Sequence, residues 1–183
     1  DSKLYLNQGD FTFSDISKSA GINTKGRWCS GVSVVDINAD GLSDIYVSAT
    51  MKNAAKDREN LLFVNQGIKN GLPTFKEMAT EYGINDSGYS EHAAFFDYDR
   101  DGDLDLYVSG RNVAFQYPMG TVSRLLRNDS KPGVIKYTDM TRVWAPELLV
   151  DNLACDAVCT DYNQDGWVDI VVAGEFAPIQ FFA

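Results

Sequence analysis

The 183-residue sequence predicts an all-β fold built from a tandem repeat. Short runs rich in Val, Ile, Tyr and Phe alternate with Gly, Asp and Asn, which is typical of strands separated by turns. Three kinds of marker recur in one order with similar spacing, which indicates internal repetition. No helix longer than one or two turns is predicted, because residues 52–60 contain helix formers but no apolar stripe.

The repeat is defined by the spacing of its markers. The first marker is an acidic stretch whose first residues, Asp36, Asp97 and Asp161, are 61 and 64 residues apart. The second is an asparagine, with intervals of 58 and 63 residues, and the third is an aromatic residue, with two intervals of 62 residues. These markers are Asn7, Asn65 and Asn128, and Phe13, Phe75 and Tyr137. Because three independent markers keep one order and one period, we interpret the chain as a true tandem repeat.

Each period predicts four short strands. One strand precedes the acidic stretch (GVSVVD, AAFFD, AVCTD), and a second follows it (DIYVSA, LDLYVSG, DIVVAG). The asparagine marker ends a third strand (LYLNQ, LLFVNQ), and the aromatic marker lies at the centre of a fourth. Four antiparallel strands repeated in tandem are typical of the blades of a β-propeller. A β-sandwich is the alternative, but it would leave the recurring acidic stretches unexplained.

The chain is therefore predicted to be a partial β-propeller of about three four-stranded antiparallel blades, all in one domain. Residues 1–26 would supply the outer strands of a preceding blade, 27–84 and 85–145 would form two blades, and 146–183 would form a partial blade. Propellers typically have about 4–8 blades. We therefore expect this chain to be a piece of a longer ring, with the remaining blades elsewhere in the same, longer protein.

The net charge of −10 lies in three nine-residue stretches, 36–44, 97–105 and 161–169, and the rest of the chain is neutral. This acidity disfavours nucleic acid as a partner, because binding to phosphates depends on basic side chains. No apolar run is long enough for a transmembrane helix, so no membrane span is predicted. The first residues lack a signal-peptide pattern, so we expect any export signal to have been removed or to lie outside this segment.

The acidic stretches share the pattern D-x-[DN]-x-D-G-x-x-D, which predicts a metal-binding loop between two strands. Side-chain oxygens at positions 1, 3, 5 and 9, with a carbonyl oxygen from position 7, suit Ca²⁺, and the glycine at position 6 lets the loop wrap around the ion. The predicted ligands are Asp36, Asn38, Asp40, Leu42 and Asp44; Asp97, Asp99, Asp101, Asp103 and Asp105; and Asp161, Asn163, Asp165, Trp167 and Asp169. We expect about three structural calcium ions, one for each loop.

Other interpretations of the loops fit less well. An EF-hand requires a glutamate at position 12, where this chain has Val47, Val108 and Val172. Mg²⁺ prefers few protein ligands, and the absence of His and Cys from the loops disfavours zinc and copper. Asp-Gly pairs that merely form tight turns are the structural alternative. The middle loop carries the most carboxylates, so we expect it to bind calcium most tightly.

The motifs VVDINADGLSDIYVS, FFDYDRDGDLDLYVSG and CTDYNQDGWVDIVVAG resemble FG-GAP/VCBS repeats, which form calcium-loop β-propellers such as the head of integrin α-chains. LYLNQGDFTFSDISKSAGI and VVAGEFAPIQFF more narrowly resemble the bacterial ASPIC/UnbV and cartilage-acidic-protein group. The third copy departs from the pattern, because RNDSKPGVIKYTDM lacks the N-Q-G motif. The resemblance implies calcium binding, a location that is extracellular, at the cell surface or periplasmic, and binding of proteins or glycans.

A ligand surface is expected on the face opposite the acidic loops, where the connecting segments are longer and richer in Arg, Trp and Tyr. These segments include residues 23–30, 50–60, 85–91, 111–123 and 147–152. The candidate ligand-binding residues are Arg27, Trp28, Tyr89, Arg111 and Tyr117. Packing between blades is the alternative role for Trp28 and Tyr89.

The leading functional hypothesis is a non-enzymatic calcium-binding module whose partner is a protein or a polysaccharide. A calcium-dependent polysaccharide lyase or hydrolase on the same scaffold is the alternative, and a pure scaffold domain is a third possibility. A lone histidine, His92, is expected to be a packed residue and not a general base. The three cysteines are expected to be unpaired and buried, since Cys155 and Cys159 are too far apart along one strand for a disulfide.

Overall fold

The computed structural model describes residues 2–131, 134–150 and 153–183. Over these residues the chain forms thirteen strands in four antiparallel sheets, and within each sheet every strand pairs with the next one in sequence. The helices are single turns. The predicted all-β class is therefore confirmed, and no closed barrel is present among the described residues.

The sheets follow one another along the chain. The first sheet pairs β1 (Tyr5–Gly9) with β2 (Thr12–Asp15). The second contains β3 (Trp28–Val35), β4 (Asp44–Thr50), β5 (Leu61–Lys69) and β6 (Leu72–Glu77). The third contains β7 (Ser90–Phe96), β8 (Asp105–Gly110), β9 (Arg124–Asn128) and β10 (Tyr137–Asp139). The fourth contains β11 (Ala154–Thr160), β12 (Asp169–Gly174) and β13 (Gln180–Phe182). The helices are α1 (Ala79–Tyr82), α2 (Thr141–Trp144) and two 3₁₀ turns, Ala55–Arg58 and Pro146–Leu149.

Two of the sequence markers are cross-strand partners. The asparagine and the aromatic residue of each repeat lie opposite each other in an antiparallel pair. These pairs are Asn7 with Phe13, Asn65 with Phe75, and Asn128 with Tyr137. The common period of the two markers therefore reflects one register, repeated in the first, second and third sheets.

The first strands of neighbouring sheets lie against each other, β3 against β7 and β7 against β11. The hydroxyl of Ser30 donates a hydrogen bond of 2.8 Å to the Ser90 carbonyl oxygen. Next to it, a Cβ atom on Gly31 would collide with the carbonyl oxygen of Glu91. A glycine at this position therefore lets two backbones from different sheets come into contact. Sheets packed side by side through their first strands are compatible with part of a β-propeller.

The core lies between the sheets, and β8 shows how the sequence builds it. Leu106 and Val108 face the second sheet, whereas Tyr107 between them faces the fourth, and all three are buried. Alternate residues of a strand point to opposite faces, so a strand covered on both faces is apolar at every position. Between the second and third sheets the largest core residues are Tyr46, Leu62, Tyr82, Ile84 and Tyr137.

One apolar face remains uncovered. The segment that follows β2 packs on the outer part of the second sheet, where Phe75 N–H donates to the Ala20 carbonyl oxygen and Ile22 packs against the cluster containing Phe63. On β3, however, Val32 and Val34 are 63% and 68% exposed. A cavity of about 390 Å³ lies along this face. β7 is thus covered by β3 of the preceding sheet, whereas no described strand packs in the same way on the outer face of β3.

The cysteine prediction requires one correction. Cys29, Cys155 and Cys159 are free thiols, as expected, but each is half-buried where full burial was predicted. They lie on the first strands β3 and β11, whose faces are only partly covered. Burial nevertheless raises the pKa of the Cys159 thiol to about 12.

Candidate metal centre

The three acidic loops join β3 to β4, β7 to β8 and β11 to β12, and they fold alike. The carboxylate at position 1 accepts a hydrogen bond from the backbone N–H of the glycine at position 6. These bonds are Gly41 to Asp36 at 2.8 Å, Gly102 to Asp97 at 3.1 Å, and Gly166 to Asp161 at 2.8 Å. The glycines have φ angles of +84°, +96° and +89°, which an L-residue rarely adopts. The predicted role of the position-6 glycine in wrapping the loop agrees with this geometry.

Position 4 also has a left-handed backbone, which the sequence analysis missed. Ala39, Arg100 and Gln164 have φ angles of 55°, 63° and 62°. Each of these residues is exposed, so its side chain can vary while its backbone turns the loop. No shared residue type marks the position, and the sequence pattern therefore contained no signal for it.

The aspartate at position 9 is a buried anchor in every loop. Asp44, Asp105 and Asp169 are at most 2% exposed, and each accepts the backbone N–H of position 2. In the first two loops, the other carboxylate oxygen accepts the N–H of the asparagine marker, Asn65 or Asn128, at 2.7 Å. The asparagine therefore connects the third strand to the acidic loop. The asparagine follows the last aspartate by 21 residues in the first repeat and by 23 in the second, so the spacing alone did not reveal this contact.

The middle loop brings three carboxylates together. Oxygens of Asp97, Asp99 and Asp105 lie within 4.8 Å of one another, and among the described residues this is the one such cluster. Oxygens bound to a single Ca²⁺ at roughly 2.4 Å can be at most about 4.8 Å apart, so the spacing fits one ion. The Oδ1 atoms of Asp97, Asp99 and Asp103 are also buried without a hydrogen-bond partner in the described part of the chain. Orphaned carboxylate oxygens of this kind fit a hard cation.

The electrostatics of the middle loop also favour a cation. Burial, reinforced by the Asp99 and Asp103 carboxylates, raises the pKa of Asp105 to about 7. Burial and the neighbouring Asp101 raise the pKa of Asp103 to about 6, and burial likewise raises the pKa of Asp99. A carboxyl group with a raised pKa releases its proton less readily, and a divalent cation can replace that proton.

Not all predicted ligands meet in the structure. Asp101 lies outside the three-carboxylate cluster. One of its oxygens accepts the N–H of Asp103 at 3.2 Å, and calcium binding by Asp101 stays a prediction.

The first and third loops differ from the middle one at position 3. Asn38 donates its amide to Asp40 at 2.9 Å, and Asn163 donates to Asp165 at 3.0 Å. The same position-5 carboxylates also accept the backbone N–H of Leu42 or Trp167, each at 2.8 Å. In the first and third loops, the position-3 amide therefore holds the position-5 carboxylate in place. In the middle loop, position 3 is an aspartate and cannot donate such a hydrogen bond in its ionised form.

Two neighbouring loops are in direct contact. The guanidinium of Arg100, in the middle loop, lies 4.5 Å from the centroid of the Trp167 ring in the third loop. It also donates a hydrogen bond to the carbonyl oxygen of Gly166. Trp167 was predicted only as a carbonyl ligand, so its contact with Arg100 adds a connection between adjacent loops.

The predicted ligand residues fall into separate groups. Arg111 pairs with Glu91 at 3.1 Å and with Glu175 at 2.6 Å, and the Tyr117 hydroxyl donates to Glu175 at 2.8 Å. Sequence reasoning missed Glu175, which lies 64 residues after Arg111 and comes close only through packing of the sheets.

The remaining candidates lie elsewhere on that face. Arg27 donates to the Glu59 carbonyl oxygen at 2.8 Å, and Trp28, at the start of β3, is 60% exposed in this chain. Tyr89 lies under Arg58, whose guanidinium carbon is 4.4 Å from the ring centroid. Of the predicted segment 147–152, residues 151–152 lie outside the described residues. The lone histidine, His92, is 3.6 Å from the Asp156 carboxylate.

Comparison with known proteins supports the predicted family resemblance. Residues 1–47 match the family model of the FG-GAP-like repeat, a range that includes the first acidic loop. Across 93% of its length the chain is 25% identical to cartilage acidic protein 1 of Xenopus tropicalis and 24% identical to that of Mus musculus. The chain spans 24% of the length of each of these relatives.

The described residues contain no helix with the length and apolar character needed to cross a bilayer. The folded loops, the repeated register and the two comparisons agree with one another. The chain matches the FG-GAP-like repeat model over residues 1–47 and is similar along nearly all of its length to cartilage acidic protein 1.

Proposed function

We propose that this chain is part of an extracellular, calcium-stabilised β-propeller that binds a protein or glycan partner. The carboxylate cluster of Asp97, Asp99 and Asp105 carries the proposal, because its oxygens are close enough for one Ca²⁺. Two further loops with the same hydrogen-bond pattern would hold the other ions. FG-GAP repeats are often found in extracellular proteins, which supports the proposed location.

Calcium would have a structural role in this proposal. An ion in the middle loop would be held by Asp97, Asp99 and Asp105 and would neutralise carboxylates that otherwise repel one another. Because Asp105 begins β8 and Asp97 follows β7, the ion would also connect the two strands of a hairpin. Extracellular calcium modules have dissociation constants on the order of 10⁻⁴–10⁻³ M, which suits exposed loops such as these.

The propeller part of the proposal rests on repetition and on the uncovered face. The hairpin of β1 and β2 repeats that of β5 and β6, and Asn7 accepts the N–H of Gly9 just as Asn65 accepts that of Gly67. Val32 and Val34 of β3 are exposed, whereas the corresponding strands β7 and β11 each pack against the first strand of the preceding sheet. We infer that further strands of the parent protein cover this face and that the chain contributes about three blades to the ring.

Calorimetric titration of the chelator-treated chain tests the metal sites. We expect about three calcium ions to bind and Mg²⁺ to bind much more weakly. The control variant replaces the first aspartate of each loop with Asn, at Asp36, Asp97 and Asp161. Absence of calcium binding to the parent chain, or equal binding to the triple variant, would contradict the proposal. Protein and glycan arrays probed with and without chelator then test the binding role.

A further inference from the structure

Two neighbouring loops on the face opposite the acidic loops expose large apolar side chains. Residues 111–119 follow β8, and residues 175–179 connect β12 to β13. Phe115 is 78% exposed and Phe176 is 86% exposed, and Tyr117 and Met119 are both more than half exposed. We refer to Phe115, Tyr117, Met119 and Phe176 as the aromatic patch.

The backbone at the two phenylalanines is strained. Phe115 has a φ angle of 59° and Phe176 one of 58°, in the left-handed region that glycine or asparagine adopts with less strain. Neither side chain compensates by becoming buried. An exposed phenylalanine with the same backbone conformation also occurs at Phe11, in the β1–β2 turn, so strain alone does not mark a binding site. At Phe115 and Phe176 the strain points to a partner only together with the contacts between their loops.

A polar network holds the two loops together beneath the patch. Arg111, at the start of the first loop, donates to Glu175, at the start of the second, at 2.6 Å. Tyr117 donates to the same carboxylate, and its ring centroid is 6.4 Å from that of Phe176. Residues 111–119 also fold back on themselves, because Val113 N–H donates to the Met119 carbonyl oxygen. The two loops, and with them the Tyr117 and Phe176 rings, are therefore joined before any partner binds, which reduces the entropy cost of binding.

We propose that the aromatic patch is a docking surface for a protein partner that presents apolar side chains together with a Lys or Arg. The inference rests on the proposed role as a binding module and names the class of partner. Aromatic residues, Met and Arg are enriched at protein interfaces. Tyr and Arg are also enriched at the energetic hot spots of interfaces.

Charge complementarity indicates the basic side chain of the partner. Glu91 and Glu175 border the patch and are opposed by Arg111, which leaves one negative charge in the network. Asp156, paired with His92 beside Glu91, is 66% exposed at its side chain and adds another carboxylate. A partner with a cationic group at its rim would therefore meet a potential of opposite sign.

The polar groups of the network argue against a saccharide as the partner. Both Glu175 oxygens, the Tyr117 hydroxyl and two Arg111 nitrogens already have hydrogen-bond partners within the chain. Arg111 Nε and Thr121 Oγ1 have no partner among the described residues, but both atoms are buried and so are inaccessible to a surface ligand. What the patch offers to a partner is mainly apolar area.

Selection of a phage-displayed library of random peptides on the immobilised chain, in calcium, tests the inference. We expect the enriched peptides to combine a basic residue with aromatic or aliphatic residues. Phe176→Ser should weaken the binding of these peptides about tenfold or more, as measured by fluorescence anisotropy. Phe11→Ser is the matched control, because Phe11 is 98% exposed with a φ angle of 58° but belongs to the β1–β2 turn. This control should bind the peptides as the parent chain does.

Three results would overturn the inference. They are a selection without enrichment, peptides that bind Phe176→Ser as well as the parent chain, and glycan-array binding that Phe176→Ser abolishes while peptides do not bind. Light scattering of the unmodified chain tests for self-association through the patch. Self-association that Phe176→Ser abolishes would be a fourth contrary result, because the patch would then bind a second copy and not a separate partner. Circular dichroism confirms that each variant is folded. A chain that fails to bind calcium but still binds peptides through Phe176 would contradict the metal proposal and leave the docking surface standing.

Discussion

Within each acidic loop, aspartates at different positions have different partners. The position-9 carboxylate is buried and accepts backbone N–H groups, so it orders the loop even without an ion. In the middle loop, Asp97 and Asp99 each have a buried oxygen without a hydrogen-bond donor among the described residues. Oxygens that accept backbone N–H groups hold the loop in its fold, whereas the orphaned oxygens of Asp97 and Asp99 are available to the proposed ion.

Replacing Asp99 should weaken the tightest calcium site. Asp99→Asn removes one of the three clustered carboxylates, so we expect the calcium dissociation constant of that site to rise by about tenfold. Asp101→Asn makes the same charge change in the same loop but lies outside the cluster, so its effect should be clearly smaller. Calorimetric titration of both variants gives the comparison, and equal effects would show that loop charge alone determines affinity.

Calcium affinity should depend on pH because of Asp105 and Asp103. Their pKa values, raised to about 7 and about 6, mean that the metal-free folded chain binds protons more tightly than the unfolded chain does. The metal-free chain should therefore lose stability as pH rises from about 4 towards 7. Calcium binds the ionised carboxylates, so its affinity should increase in the same direction.

We expect calcium affinity to increase roughly tenfold or more between about pH 5.5 and about pH 7.5, with release of protons on binding. Titrations in two buffers of different ionisation enthalpy measure the proton release directly. A constant affinity over this range, with no proton release, would show that these carboxyl groups are already ionised in the metal-free chain.

At the scale of the elements, the repeating unit is a hairpin with an acidic loop, tied to a third strand by an asparagine. The sequence predicted the strands on both sides of each loop and the pairing of the outer strands. It did not predict the contact of Asn65 with Asp44, because the two residues are 21 positions apart and meet only when β4 and β5 pair. The repeating unit therefore includes the third strand as well as the hairpin and its acidic loop.

The contact between β3 and β7 supports a prediction about stability. Gly31→Ala should destabilise the chain by about 2 kcal/mol, because the new Cβ would force β3 away from the Glu91 carbonyl oxygen. Ser33→Ala, on the same strand, removes only the hydrogen bond to Ala93 and should cost about 1 kcal/mol. Urea denaturation in saturating calcium measures both. A Gly31→Ala variant as stable as the parent chain would contradict the close packing of β3 on β7.

For the whole molecule, the concentration of negative charge in three loops predicts how stability responds to salt. Chelation of calcium should lower the melting temperature, because the loops that carry the net charge of −10 lose their counter-ions. The decrease should be larger at low ionic strength, since salt screens repulsion between exposed carboxylates. Thermal melts with chelator or with calcium, each at low and high salt, give four values to compare. A melting temperature that is independent of calcium would contradict a structural role for the ion.

The amino-acid pattern was enough to predict the all-β class, the order of the strands, the absence of long helices and the positions of the acidic loops. These features are local: strand propensity, turn residues and a repeated spacing are written along the chain. The predicted loop ligands also lie within nine consecutive residues, so their general arrangement followed from one motif.

Which of those residues meet depends on how the chain packs in three dimensions. This packing placed Asp97, Asp99 and Asp105 together but left Asp101 aside, and it brought Glu175 to Arg111 from the next sheet. It also held Phe115 and Phe176 in strained, exposed positions. These outcomes depend on side-chain orientation and on packing between sheets, where residues about 60 positions apart become neighbours. The residue pattern of a single sequence does not reveal such contacts.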